Sequence, residues 1–393
     1  MIIDGKRSLA HVEKIAWIKP IEGADNIELI GVLGWTCIAK IGEFEEGDHC
    51  VYIEIDSKVP EKEWSEFLRA KKFKIKTMKL SKFKVISQGL ALPLDIFDIE
   101  IPKKEGTDVT DLLEIRYSNP KDNKRKGDGP DKFEEMQKRR AKIFKKPWAK
   151  WLMKREWGKK LMFFIFGSEK DTKKRFPTKF PHIHKTDQER CENMPNILND
   201  KTPFIRTQKC EGSSATYILE IVNNRLGKNE YEFYVCSRNL RVFDENTDFW
   251  DVVRKYDIEN KLKDYLSKNK DCRYVCWQGE LCGPNIQNNP HKLTENHLFC
   301  FHMIDNVNGM FDIREAKKVW DEYGMESVPI DEEEYILPDD FEEFKQSADG
   351  YYDSEVCEGN AKCMREGFVY YKTNDPTFSF KNVSRKYLLK TGG

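Results

Sequence analysis

The sequence lacks any apolar run long enough to cross a bilayer. Its longest strongly apolar run, LMFFIF beginning at Leu161, has six residues, whereas a membrane-spanning helix needs about 20. Residues 1–10 contain no apolar stretch of the secretory type. The eleven cysteines form no disulfide-like framework, and their odd number excludes complete pairing. We therefore expect an intracellular protein, cytoplasmic or nuclear, in a reducing compartment and with no membrane as partner.

Two common nucleotide and metal motifs are also missing. No GxxxxGK[ST] loop is present, which disfavours P-loop ATP chemistry. Cys272 and Cys276 supply the first half of a zinc motif, but no second tight pair follows them. Because Cys276 lies in a strand-like segment, where cysteine is an ordinary small apolar residue, we do not predict zinc.

Length and charge distribution indicate how many domains the chain has and what kind of partner it could bind. At 393 residues it exceeds what one core usually supports, so two or three domains are expected. The net charge of zero hides a segregation: residues 116–179 hold 22 Lys/Arg against 8 Asp/Glu, and residues 331–366 hold 3 against 13. The basic block would suit a polyanion, although a solvated helical linker has the same composition.

The chain divides into three parts by composition. Residues 1–115 are rich in short β-like runs such as IELIGV, HCVYIEI and FKVISQGLALPL, which predict an N-terminal OB-like barrel. Residues 116–178 form a basic, helical insert or linker. Residues 179–393 alternate strand-like and helical patterns, so together with the β-rich first part they predict the α+β fold class.

The basic insert offers one nucleic-acid hypothesis. Trp148 and Trp151 with Lys150 could stack on bases and contact phosphates, as basic and aromatic surfaces do in single-strand binders. The helical spacing of Trp148, Trp151 and Leu152 favours the alternative that this face packs against a neighbouring domain. A peripheral membrane helix is a third interpretation.

A lysine in an unusual place points to chemistry. Lys209 lies in KCEG, among small and polar residues, directly before the strand-like run TYIL. Five further segments follow, each with a polar functional group inside an apolar run: FYVCSRNL, QGELCGPNIQ, LFCFHMID, EGFVYYK and SFKNVSRKYLL. One such segment would be weak evidence, but six in order are strong.

The order and residue types resemble the lysine-adenylate nucleotidyltransferases, which include ATP-dependent ligases and capping guanylyltransferases. In that superfamily a KxxG motif supplies the nucleophile, and here it is Lys209 to Gly212, with Glu211 where aspartate is usual. GELCGPNIQ and EGFVYYK resemble the RNA ligases. The stretch before the nucleophile and the β-rich N-terminus resemble the branch that carries an N-terminal OB domain.

The resemblance implies a role for each site residue. Lys209 is the AMP-accepting nucleophile, Glu280 and Glu366 hold a divalent metal or the ribose, and Phe301 stacks on adenine. The nucleotide-binding candidates are Gln208, Glu211, Arg238, Phe301 and Lys381, with Arg190 and Lys386 as weaker members. The last family motif often reads Lys-x-Lys, whereas Ser379 and Lys381 stand here.

The chemistry accounts for these residue types independently. An amine must be neutral to attack phosphorus, so we expect Lys209 to have a depressed pKa or a cationic neighbour. Phosphoryl transfer needs positive charge, supplied by Arg, Lys and Mg²⁺ or Mn²⁺ held by carboxylates, phosphates and water.

The resemblance implies that residues 179–393 form an adenylyltransferase (ligase catalytic) domain of ATP-grasp-like antiparallel sheets plus helices. It also implies an ATP-dependent RNA ligase, active as a monomer, that joins 3′-hydroxyl and 5′-phosphate ends. A nicked duplex, an RNA/DNA hybrid and a broken tRNA all stay open as its substrate. Two alternatives stay open: a capping guanylyltransferase that uses GTP, and an RNA-binding protein with relic ligase motifs.

Overall fold

A computed structural model describes residues 1–3, 6–118, 146, 188–223, 229–238, 241–358 and 362–391. The predicted insert falls almost entirely outside these residues, and Trp148, Lys150 and Trp151 lie outside them too. The helices that the structure describes include none long and apolar enough to span a membrane.

The N-terminal part is built from short strands. A five-stranded sheet has the order β10-β6-β3-β4-β5, β8 pairs with β9, and β11 pairs with β7. Two 3₁₀ helices, Glu63–Lys71 and Leu94–Ile96, complete it. The strands are β1 Ile2–Ile3, β2 Lys6–Arg7, β3 Ala10–Pro20, β4 Ile27–Val32, β5 Trp35–Lys40, β6 His49–Ile53, β7 Ser57–Lys58, β8 Met78–Leu80, β9 Val85–Ser87, β10 Leu90–Pro93 and β11 Arg116–Tyr117.

One long strand gives this sheet its curvature. The first half of β3, Ala10 to Lys14, pairs with β6, and the second half, from Ile15, pairs with β4. A register shift between Ile15 and Trp17 separates the two halves. Such a bulge bends a strand and increases its twist, which is how a small barrel turns its corner. The predicted OB-like architecture is thereby confirmed.

A run predicted as one strand is in fact two. FKVISQGLALPL forms β9 and β10, which are separated at Gly89. Gly89 has a φ of +90°, and a Cβ atom there would lie 2.5 Å from the hydroxyl oxygen of Tyr52. Only glycine fits this turn against the buried tyrosine.

The C-terminal part consists of two five-stranded sheets with flanking helices. The first has the order β12-β21-β20-β13-β19, and the second β15-β14-β16-β17-β18. The strands are β12 Glu189–Arg190, β13 Phe204–Gln208, β14 Ser213–Asn223, β15 Asn229–Ser237, β16 Tyr274–Cys282, β17 His297–Asp305, β18 Gly309–Met310, β19 Ile330–Tyr335, β20 Gly367–Lys372 and β21 Asp375–Val383. The helices are α1 Asp248–Tyr256, α2 Ile258–Lys268, α3 Ile313–Glu322, α4 Phe341–Ser347 and α5 Arg385–Thr391, with short 3₁₀ helices at Cys191–Asn193, Pro195–Asn199 and Ser354–Val356.

The two sheets share one large core. Apolar residues of both, such as Ile205 on β13 and Tyr217 on β14, join the buried faces of α1, α2 and α3 in a single cluster. The chain passes from the first sheet to the second at residues 209–212, between β13 and β14. The lysine motif therefore lies where the sheets meet.

The two parts of the protein are joined by buried polar contacts. The backbone N–H of Gly34 donates to the carbonyl of Glu192 at 2.8 Å, and Nε1 of Trp35 donates to Asn193 at 2.6 Å. Nζ of Lys345 on α4 lies 3.5 Å from the carboxylate of Glu192, and both side chains are fully buried. Tyr387 of α5 extends a core cluster of the N-terminal barrel.

Candidate active site

The backbone of Lys209 is fixed by both neighbouring elements. The Lys209 N–H donates to the carbonyl of Gly367 at 3.0 Å, and the Gln208 N–H donates to the carbonyl of Pro329 at 3.0 Å. Nζ of Lys209 lies 2.7 Å from Oε2 of Glu366, which directly precedes β20. The two side chains are 23% and 15% exposed, so the ion pair lies in a recess that is open to a ligand.

Gly212 is required because the motif crosses β16 at close range. A Cβ atom at this position would lie 2.3 Å from the carbonyl oxygen of Leu281 and 3.0 Å from Cγ of Glu280. Contacts below 3.0 Å with backbone are not tolerated without a shift of the chain. The glycine of KCEG therefore allows the nucleophile segment to approach the strand that carries Glu280.

Glu280 faces the same recess from the second sheet. It pairs in register with Ser214 on β14, and a bulge between Gln278 and Gly279 directly precedes it. Burial raises the pKa of Glu280 to about 7. Lys209 opposes this rise, and the negative charge of Glu366 adds to it. Two carboxylates and one ammonium group thus share a small partly buried volume.

The expectation that Lys209 has a depressed pKa is wrong for the protein without nucleotide. Burial alone would lower the pKa of Lys209, but the negative charges of Glu366 and Glu280 oppose it, and the net direction is upward. The lysine is therefore held protonated in the protein without nucleotide. It can attack only after the carboxylate charges are offset or its proton is removed.

Two residues that the sequence did not single out hold the KCEG segment. The hydroxyl of Tyr352 donates to the carbonyl oxygen of Lys209 at 2.7 Å and accepts from the Glu366 N–H at 3.1 Å. The ring of His291 packs on Tyr352 with 4.5 Å between centroids, and its Nε2 lies 3.1 Å from the backbone nitrogen and oxygen of Glu211. Burial lowers the pKa of His291 to about 4, so the imidazole is neutral.

The side chain of Gln208 forms hydrogen bonds within the protein. It is buried, its amide nitrogen donates to the carboxylate of Asp353, and its amide oxygen accepts from the Asp353 N–H at 3.2 Å. The side chain thereby ties β13 to the segment that carries Tyr352. Glu211 is partly buried, and its pKa is raised by that burial, against the effect of a hydrogen bond from Tyr387.

Phe301 and Arg238 lie on the second sheet. Phe301 is partly buried on β17 and packs against the large core, perpendicular to His302 at 5.0 Å. Arg238 directly follows β15 and is exposed. It lies close enough to Glu280 for its positive charge to favour the ionised carboxylate. Their roles in nucleotide binding stay predictions.

Arg190 and Lys381 are neighbours across two parallel strands, β12 and β21. Arg190 is 7% exposed, and its Nη2 lies 3.6 Å from Asp56 of the barrel. Its Nε and Nη1 atoms are buried without a hydrogen-bond partner within the described residues. Unpaired buried donors are costly, so this guanidinium is prepared to bind an anion. It is a stronger candidate than its place in the sequence indicated.

Lys386 is a weaker candidate in the structure. It belongs to α5, its side chain is 69% exposed, and its Nζ pairs with Asp349 at 3.2 Å.

The cysteines that the sequence grouped do not form a metal site together. Cys272, Cys276 and Cys282 are buried in the core with their thiols free. Across the residues the structure describes, no three His, Cys, Asp or Glu side chains gather to hold a metal ion by themselves. A metal near Glu280 and Glu366 would therefore need ligands from a bound nucleotide and water.

Known families match both parts of the chain. The profile of the OB-fold domain matches residues 9–94, and the RNA ligase profile matches residues 202–388. A search of curated protein sequences returned no match.

Solved structures match nearly the whole chain. Naegleria gruberi RNA ligase with PPi is 26% identical, with a TM-score of 0.73 over 98% of this chain and 99% of that chain. Two variants of the same enzyme, one with AMP and Mn and one with ATP and Mn, are each 27% identical with the same TM-score and coverage. The fold and the profiles define a polynucleotide-joining class of nucleotidyltransferase. The chain is therefore similar to RNA ligases over residues 202–388, and to a solved RNA ligase over nearly its whole length, with an OB-fold domain ahead of the ligase region.

Proposed function

We propose that the protein is an ATP-dependent RNA ligase that seals breaks in three steps, with Lys209 as its nucleophile. Nζ of Lys209 attacks the α-phosphorus of ATP, forms a lysine–AMP phosphoramidate and releases pyrophosphate. The AMP then passes to a 5′-phosphate end. A 3′-hydroxyl attacks that 5′-phosphate, the new phosphodiester forms, and AMP leaves. RNA repair by nick sealing is the expected role.

The ion pair between Lys209 and Glu366 carries this proposal. Its 2.7 Å contact lies in a recess between the two sheets, beside a second carboxylate on Glu280. A surface salt bridge would need neither the close approach at Gly212 nor the backbone bonds that fix the lysine. ATP and AMP in the solved relatives support adenylation as the first step.

The positively charged side chains suit the phosphates. Arg190, with two buried unpaired donors, and its strand neighbour Lys381 are proposed to contact the triphosphate. Arg238 is proposed to act from the opposite side, near Glu280. Phe301 is proposed as the platform for the adenine ring.

Glu280 and Glu366 fit a divalent cation. Burial disfavours the ionised form of Glu280, and the nearby charge of Glu366 adds to the effect, so a cation at this point would relieve both. A bound Mg²⁺ or Mn²⁺ would neutralise the charge that keeps Lys209 protonated and would stabilise the phosphate oxygens. Manganese in the solved relatives supports this assignment.

The barrel is proposed to hold the RNA backbone. Residues 69–84 contain eight Lys/Arg and no Asp or Glu. Lys72, Lys79, Lys82 and Lys84 are exposed there. Binding by such a segment is expected to weaken as salt rises, because phosphate contacts release counterions.

The test is transfer of label from nucleotide to protein. The purified protein is incubated with α-labelled ATP or, separately, α-labelled GTP, with Mg²⁺ or Mn²⁺. Lys209→Ala is compared with Lys386→Ala, which removes an exposed lysine of the same domain. We expect label from ATP in the wild type and in Lys386→Ala, and none in Lys209→Ala.

Other outcomes of this labelling experiment would indicate a different function. Label from GTP alone would indicate a capping guanylyltransferase, a weaker alternative because the OB-fold region precedes the lysine here. No label from either nucleotide in folded protein would indicate an RNA-binding protein with a relic site.

A further inference from the structure

Tyr117 is an exposed aromatic residue at the boundary between the barrel and the catalytic domain. It ends β11, pairs in register with Ser57 on β7, and is 50% exposed. The next residue, Ser118, donates its backbone N–H to the carbonyl of Asp56 at 2.6 Å. The backbone is therefore fixed on both sides of the ring, and an exposed ring on a fixed backbone is poised for a ligand.

Three arginines and Asp56 lie within electrostatic range of this ring. The guanidinium of Arg7 lies 5.6 Å from the ring centroid and 3.3 Å from the carboxylate of Glu54. Asp56, which holds the Tyr117 segment, is also the partner of Arg190 at 3.6 Å. Arg190 and Arg238 both lie close enough to influence the pKa of the Tyr117 hydroxyl, which is raised mainly by burial and by the charge of Asp56.

Tyr117 thus lies beside the proposed phosphate contacts. Arg190 is the strand neighbour of Lys381, and Arg238 is close to Glu280. A strand end whose phosphate reaches these cations would bring its terminal bases near the Tyr117 ring. Nucleic-acid binders combine cations for the backbone with aromatic rings for bases, because every base has a face that can stack.

We propose that the Tyr117 ring, with Arg7 behind it, binds a nucleobase of the RNA end that is being joined. The adenine of ATP has its own proposed platform in Phe301 on β17, so Tyr117 serves the polynucleotide steps. The inference rests on the proposed function, because it assigns part of the RNA substrate to the same active site. Stacking requires no particular base, so this contact places the RNA end without selecting its sequence.

The experiment separates the steps of the reaction. Wild type, Tyr117→Ala, Tyr117→Phe and Tyr231→Ala are compared in three assays: lysine–AMP formation without RNA, AMP transfer to a 5′-phosphorylated nicked RNA duplex, and sealing of a pre-adenylated RNA. Tyr231 on β15 is 51% exposed, so it is a matched control for losing an exposed tyrosine.

We expect Tyr117→Ala to form lysine–AMP within about two-fold of wild type and to lose about ten-fold in AMP transfer or sealing, a loss that one stacked base can account for. Tyr117→Phe and Tyr231→Ala should match wild type in all three assays. An abasic nucleotide is also introduced at successive positions beside the nick. At the stacked position it should slow the wild type about ten-fold and add nothing to Tyr117→Ala.

Three results would overturn the proposal. Equal behaviour of Tyr117→Ala and Tyr231→Ala would remove the ring from RNA binding. A loss in Tyr117→Phe as large as in Tyr117→Ala would assign the effect to the hydroxyl. Equal losses in lysine–AMP formation and in the RNA steps would mean that the ring supports ATP binding or the fold. Failure of the proposed function itself is distinct, because wild type would then form no lysine–AMP.

Discussion

The hydroxyl of Tyr352 donates a hydrogen bond of 2.7 Å to the backbone carbonyl of Lys209. The same oxygen accepts from the N–H of Glu366 at 3.1 Å. One phenol group therefore fixes the backbones of the proposed nucleophile and of its carboxylate partner, which are 157 residues apart in the chain. We infer that Tyr352 positions both partners of the ion pair through their backbones.

We predict that Tyr352→Phe slows lysine adenylation about five- to ten-fold, because a hydrogen bond of this kind contributes roughly 1 kcal/mol. The ring stays in its contact with His291, so the free energy of unfolding should fall by no more than about 1–2 kcal/mol. Single-turnover transfer of AMP from labelled ATP measures the effect. Tyr351→Phe is the control, since that neighbour is 56% exposed. Equal rates in both variants would contradict the positioning role.

A second prediction concerns the protonation of Lys209 in the protein without nucleotide or metal. Glu366 and Glu280 raise the pKa of this lysine against the effect of burial. The neutral amine therefore becomes available only at higher pH than for an ordinary lysine. Glu366→Gln removes the closer charge, so the pKa of Lys209 should fall and its reactivity should rise at lower pH.

Labelling of amines across pH, read peptide by peptide by mass spectrometry, measures this shift. Lys386, which is 69% exposed, is followed in the same sample as the internal reference. If Lys209 is labelled with the same pH dependence in Glu366→Gln as in the wild type, the ion pair does not control the pKa of this lysine.

Glu280 is expected to make stability depend on pH. Its pKa in the folded protein is about 7, whereas the ordinary value is 4.5. Between these values the folded state binds more protons than the unfolded state, so stability falls as pH rises from about 4.5 to 7. The loss is at most about 3 kcal/mol, and partial exposure of the side chain reduces it.

Glu280→Gln should therefore stabilise the metal-free protein at pH 8 and have little effect at pH 4.5, as measured by urea unfolding. Glu334→Gln, at an exposed position on β19, should be neutral at both pH values. Adding Mn²⁺ at pH 8 should stabilise the wild type more than Glu280→Gln. If Glu280→Gln changes the free energy of unfolding by the same amount at both pH values, the pKa of Glu280 is not raised in the folded protein.

The candidate nucleophile and its two carboxylates could be singled out in the sequence because their signals are local. Lys209 and Gly212 lie within four residues, and Glu280 and Glu366 each sit in a short apolar run beside a glycine. Such patterns reflect what the chemistry needs at each strand end. The barrel could be predicted equally well, because short strands and turn residues alternate along residues 1–115.

The residues that hold the candidate site in place could not be predicted from the sequence in this way. Tyr352 lies in the acidic stretch after α4, where composition indicates only a solvated surface. Arg190 gains its importance from Asp56 in the barrel, and His291 from a backbone 80 residues earlier. Contacts of this range depend on how the sheets pack, and no local period or spacing records them.

Gly212 offers a fourth test, because any side chain there would meet the backbone of β16. Gly212→Ala places a Cβ atom 2.3 Å from the Leu281 carbonyl. The KCEG segment must then move away from Glu280, so we predict at least a 100-fold loss of lysine adenylation. Gly42→Ala, where nothing lies within 4 Å, should keep full activity and cost only about 1 kcal/mol through its positive φ. Retained adenylation in Gly212→Ala would show that the close approach is not needed.

The last prediction concerns the buried ion pair that joins barrel and catalytic domain. Nζ of Lys345 lies 3.5 Å from Glu192, 3.2 Å from Oε1 of Gln88 and 3.4 Å from the carbonyl of Gly34. Lys345→Met would leave the Glu192 carboxylate buried without its cation. We therefore predict a loss of about 3–5 kcal/mol in the free energy of unfolding, measured in urea.

The double variant Lys345→Met/Glu192→Gln should recover part of that loss, because no charge is then left buried. Lys317→Met, which breaks an exposed pair with Asp321 on α3, should cost less than about 1 kcal/mol. Since Lys345 contacts the barrel through Gly34 and Gln88, its loss should slow the RNA-dependent steps more than lysine adenylation. Glu192→Gln is also measured alone. If the losses in unfolding free energy of Lys345→Met and Glu192→Gln simply add in the double variant, the ion pair does not hold the domains together. The contacts of Trp35 and Gly34 would then join them instead.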